Sequence, residues 1–166
     1  MADDNGLIAD IESSIVTLIT AATVGGDAAF RTVDNWRGQL QGPDDFRQYA
    51  PFAFVEYDGT PNTNPEGDHD LNQHLQFTVR VGTEVANKKA GGRIGKGTDA
   101  SSGKRQLGVS RLRDVVITAL QEVTPTTTDG KTEYFEFMGD VIAYNEPEGR
   151  RYAIIMRFRI DRVDSY

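Results

Sequence analysis

One stretch limits the fold more than any other: Tyr49 to Gly59, Tyr-Ala-Pro-Phe-Ala-Phe-Val-Glu-Tyr-Asp-Gly, which is apolar on both alternating faces. A strand has a side-chain period of two, so Phe52 and Phe54 point one way and Ala53, Val55 and Tyr57 the other. Neither face can be left to water, and the segment reads as a central strand. Pro51 stands at its first position, where a missing N–H is tolerated, and Asp58-Gly59 supplies turn chemistry at its end. From His74 to Gly82 the pattern is cleaner, with Leu75, Phe77, Val79 and Val81 on one face and Gln76, Thr78 and Arg80 on the other. That alternation predicts a half-buried strand, the natural antiparallel partner of the first.

The remaining segments are placed by asking what covers this pair. Leu7, Ile8, Ile11, Ile15, Leu18, Ile19 and Ala22 recur at helical spacing, which predicts an amphipathic helix over residues 5–24, capped by Asn5 and stopped at Gly25. Its polar side carries Asp10, Ser13, Ser14 and Thr17 and lacks the basic face of a membrane-surface helix. Phe30 to Trp36 reads as a short edge strand, with Trp36 either core or interface, and Gly42-Pro43-Asp44-Asp45 as a turn. Val109, Leu112, Val116, Ala119, Leu120 and Val123 predict a second helix over residues 104–123, ended by Pro125. Tyr134 to Tyr144 is apolar on both faces and holds Gly139, a bulge signal. Across a turn at 145–149, Arg151 to Val163 alternates with Tyr152, Ile154, Met156, Phe158 and Ile160 inward and Arg151, Arg157, Arg159 and Asp161 outward, completing a hairpin.

The order predicts a single α+β domain spanning 1–166: a mainly antiparallel sheet of four to five strands with two helices on one face. Its other face would show Arg80, Arg157 and Arg159, read as solvent-side residues with acidic cross-strand partners.

Two insertions, 60–73 and 84–103, exceed what tight turns need. The first holds Asp68, His69 and Asp70, with His74 just beyond, but their spacing fits no zinc or calcium pattern. The second is Gly-rich and basic; Gly91 to Thr98 lacks the spacing of a phosphate loop, and no strand runs directly into a dinucleotide fingerprint. The chain carries a net charge of -7, yet residues 88–113 hold eight basic side chains and one acid. Such segregation suits a subunit with opposed acidic and basic surfaces better than a nonspecific nucleic-acid binder. Lys88, Lys89, Arg93, Lys96, Lys104 and Arg105 are the candidate partner-binding residues, since a segment so poor in apolar anchors is ordered by a partner that brings negative charge.

There is no cysteine, and His69 and His74 are the only histidines. No nucleophile elbow, HExxH or clustered carboxylates stand out, and no apolar run approaches the roughly 18 residues of a membrane span. The expectation is a non-enzymatic interaction module with no cofactor, no metal and no membrane contact.

In order and spacing, the amino-terminal helix, Phe30-Arg-Thr-Val33, Ala50 to Tyr57, Gln76 to Val81, Gly108 to Val116 and Arg151 to Ile154 together resemble the Mu-type tail terminator family of contractile-tailed bacteriophages. The resemblance implies a virion protein assembled in the host cytoplasm, a ring subunit, six around an axis, that caps the tail tube and joins it to the neck. Implied partners are further copies of the chain, the tail tube protein, a neck or stopper protein, the sheath, and DNA passing through the lumen. Other readings are a different neck component, such as a stopper or head–tail joining protein, and a small hydrolase or nucleotide-binding protein using the basic segment.

Overall fold

A computed structural model describes residues 4–59, 73–85, 96–98, 105–128, 130, 132–145 and 150–162. The elements are α1 (Asp4–Thr20), β1 (Thr23–Val24), β2 (Asp27–Ala28), β3 (Thr32–Asn35), α2 (Pro43–Tyr49), β4 (Phe52–Gly59), β5 (Gln73–Glu84), β6 (Lys96–Thr98), β7 (Arg105–Gln106), α3 (Val109–Leu120), β8 (Glu136–Asn145) and β9 (Arg151–Arg162). The main sheet has five strands in the order β3-β4-β5-β9-β8. Only its β3–β4 pair is parallel; β4–β5, β5–β9 and β9–β8 are antiparallel. The α+β expectation holds, although the middle position belongs to β5 rather than to β4.

β4 divides its side chains as its pattern requires. Ala53 and Val55 join the main core with Leu75, Phe77, Val79 and Val81 of β5, Met156 and Phe158 of β9, Ile11, Ile15 and Ile19 of α1, and Leu112, Val116 and Leu120 of α3. Phe52 and Phe54 enter a second cluster on the opposite face with Phe46 and Ala153. The rings there meet edge to face or stacked, with Phe46 5.2 Å from Phe52 and Phe52 5.0 Å from Phe54. Each buried side chain of this size contributes about 1.5–3 kcal/mol, so both layers stabilise β4.

Three sequence expectations are corrected. The helix predicted over 5–24 ends at Thr20, because Gly25 and Gly26, at φ 62° and 89°, form the tight turn joining β1 to β2 instead of a helix stop. Gly42 to Asp45 is not a plain turn. It opens α2: proline at the first helical position needs no N–H partner, and the Asp45 carboxylate accepts from Gln41 N (2.7 Å) and Gly42 N (3.0 Å). α2 covers Phe52 and Phe54, so a short third helix lies on the face opposite the two long helices that were expected together. The second long helix starts at Val109, not at 104, because Arg105 and Gln106 pair as β7 with β6.

Candidate assembly surfaces

The strongest departure from the sequence pattern is β8. It reads as a strand buried on both faces, yet Tyr134, Met138, Val141, Ile142 and Tyr144 are 50%, 49%, 47%, 64% and 40% exposed. The cause is position. β8 is the last strand of the sheet, so among the described residues its outer backbone edge is unpaired, and α3 packs chiefly over β5 and β9. Gly139, at φ 128°, sits in the expected bulge, where the register against β9 slips between Phe137 and Gly139, with a second shift between Ile142 and Tyr144. Between these shifts Val141 lies beside Ile155 and Ile142 beside Ile154, on opposite faces.

The inner end of β8 is firmly held. Phe135 is buried, its N–H donates to Val123 O (2.9 Å) and its carbonyl accepts from Glu122 N (3.0 Å). Gln121 Oε1 accepts from Phe137 N at 2.9 Å. Arg113 of α3 bonds the Asp140 carboxylate and lies over the Phe137 ring, 5.1 Å from its centre. The segment before β8 is tied to α1: Asp10 accepts from the Thr128 hydroxyl (2.6 Å) and backbone N–H (2.9 Å), which hold its carboxyl below the usual range. The apolar strip is therefore presented on an ordered frame.

A second surface lies on the helix layer. Leu18, Ala21, Ala22 and Thr23 at the end of α1 face Arg111, Asp114, Val115, Thr118 and Ala119 of α3 across an apolar recess of about 380 Å³. Small side chains at Ala21, Ala22 and Ala119 leave it unfilled. Arg111 on its rim is exposed and has no carboxylate partner among the described residues.

The arginine-bearing face of the sheet carries several cross-strand ion pairs. Arg80 meets Glu56 (3.0 Å) and lies over Trp36, Arg159 meets Glu136 (2.7 Å) and Asp161 (3.4 Å), and His74 Nδ1 lies 2.6 Å from Asp161. The expected acidic partners of Arg80 and Arg159 are present, whereas Arg157 stays exposed. Trp36 is half-buried against Phe54, 5.9 Å between ring centres. Arg151, expected outward, is instead buried against Glu84 at 3.1 Å, because α2 closes that end of the face and Arg47 adds a second cation near Glu84.

Of the candidate partner-binding residues, Lys88, Lys89, Arg93 and Lys104 lie outside the described residues, as do 60–72 and with them Asp68, His69 and Asp70. The backbones of Lys96 and Arg105 are brought together where β6 pairs antiparallel with β7. Among the described residues no group of three or more His, Asp and Glu side chains could hold a metal ion, and no helix is long and apolar enough to cross a membrane. Sequence reasoning missed the open strip and the recess. The strip's signal was present, apolar side chains on both faces, but the same pattern marks any buried strand; a recess between helices leaves no trace in periodicity.

The mixed five-stranded sheet and its helices define an α+β fold. Among solved structures, the chain is similar in fold to a chain from the virion of a native gene transfer agent particle, with a TM-score of 0.53 and 12% sequence identity, covering 94% of this chain and 96% of that one. At that identity the likeness is one of fold. No protein-family model matches the sequence, and no curated protein matches it.

Proposed function

We propose that this chain is a structural virion protein of a phage-like particle, a tail terminator whose copies form a ring, six around an axis, that caps the tail tube and joins it to the neck. The observation that carries the reading is the fold shared with a virion chain over 94% of this one, end to end rather than in a single motif. The order and spacing of segments that resemble the Mu-type terminators support the finer assignment. Two further features fit a subunit built to assemble: a large apolar strip left open on an ordered strand, and an apolar recess on a different face. In this reading the protein works by binding and not by catalysis, and the basic segment from Lys88 to Arg105 meets an acidic surface of the tube or of a neighbouring subunit. A stopper or other neck component is the alternative, and it would differ in position.

Electron microscopy of particles carrying a tag on this chain tests the assignment. Density at the junction of tail tube and neck, in a six-fold ring, supports the terminator. Density on the head side of that junction makes it a stopper, and a tag absent from particles overturns the virion reading.

A further inference from the structure

A subunit that repeats around a ring in one direction makes a heterologous contact: one patch of each copy meets a different patch of the next. The described surface offers one projecting and one receding apolar patch. Among the described residues the large exposed apolar side chains all lie within 134–144, and the recess between α1 and α3 is lined by alanines, Leu18 and Val115. Each rim carries one charged side chain left over, since Asp114, also on the recess, is engaged with Arg113 at 3.6 Å. Glu133, beside Tyr134, is exposed without a cationic partner among the described residues, and Arg111 at the recess is exposed without an acidic one. Residues 132–145 hold Glu133, Glu136 and Asp140 and no lysine or arginine. An intact chain thus carries both halves of a contact that it cannot close on itself, because α3 separates them: Arg113 on one flank of the helix is engaged with Asp140 of β8, while Arg111, Val115 and Thr118 lie on the flank toward α1.

We propose that β8 of one copy seats along the α1–α3 recess of the next, with Tyr134 and Met138 in the recess, Glu133 paired to Arg111 of the neighbouring copy, and Ile142 extending the apolar contact past its end. This inference rests on the ring reading and names the surfaces that build the ring. Apolar groups at the centre supply affinity, and the rim pair fixes register and direction.

The test uses variants at exposed or half-buried positions, so that the fold is retained. Met138→Asp with Ile142→Asp should weaken self-association by about thirtyfold or more, the effect of losing a buried apolar anchor, with unchanged circular dichroism. Ala119→Arg, which fills the recess, should do the same. Mixing the two is decisive. A head-to-tail contact leaves one intact strip and one intact recess, so the mixture should form heterodimers and stop there, although neither variant associates alone. Glu133→Arg and Arg111→Glu should each weaken assembly, and the double variant should recover it. Rings that persist in the strip variant, or assembly unaffected by Ala119→Arg, overturn this contact and leave the ring reading standing. A wild-type chain that stays monomeric both at high concentration and on tail tubes overturns both.

Discussion

β4 and β8 carry the same kind of sequence and meet opposite fates. Each is a run of about ten residues with aromatic and branched side chains on both alternating faces. β4 lies one strand in from the edge, with α1 and the main core on one side and the α2 cluster on the other, and its residues from Phe52 to Val55 are all buried. β8 lies at the edge, and from Asp140 to Asn145 every residue is exposed. Apolarity on both faces thus reports that a strand needs covering, while the cover itself is set by topology: for β4 it comes from within the chain. For β8 we assign it to a neighbour.

Substitutions on the buried side have the largest effect. Phe77→Ala in β5, or Phe54→Ala in β4, should cost about 3–5 kcal/mol of stability by denaturant unfolding, since each removes a fully buried ring and leaves a cavity. A smaller loss is expected at Gly82, where β5 passes under the α2 cluster. A Cβ there would come within 2.2 Å of the Phe52 ring, so Gly82→Ala forces that ring aside and should cost about 1–3 kcal/mol. On the open side, Ile142→Ser should change the stability of the monomer by no more than about 0.5 kcal/mol, although the side chain is large and apolar. A loss at Ile142 comparable to that at Phe77 would show that β8 is already covered within the chain.

The smallest effect sharpens how β8 is held. Asp10 is half-buried, and its carboxyl is depressed by two bonds from Thr128, at the start of the segment that leads into β8. A carboxylate whose folded pKa lies below its unfolded value, about 3.9, adds stability above that value and loses it as pH falls through the folded pKa. Asp10→Asn should therefore be slightly less stable than wild type near neutral pH, and the two unfolding curves should converge in acid. A gap that persists at low pH would mean that the bonds matter through geometry and not through charge.

Much of this fold was legible. The inward sets of β5 and β9, the split faces of β4, the apolar faces of both long helices and the bulge at Gly139 follow from periodicity, because each is fixed by local spacing. α2 was not, since its seven residues are too few to show a helical period; its mark was chemical, proline at the first position with Asp45 reaching back to two N–H groups. The parallel pairing of β3 with β4 was hidden too, because partner choice is a long-range property. The candidate site was legible in part. Charge segregation singled out residues 88–105, of which the structure describes only the β6 and β7 backbone, whereas the open strip came into view only once topology placed β8 at an edge.

Amide hydrogen exchange, measured on the dilute monomer and on the assembled protein, reports whether a neighbouring copy covers β8. The account requires exchange at residues 136–145 to slow on assembly, as an open edge is covered, while the amides of β5, already paired on both sides, stay as protected as before. Exchange at 136–145 that is the same in monomer and ring would contradict it.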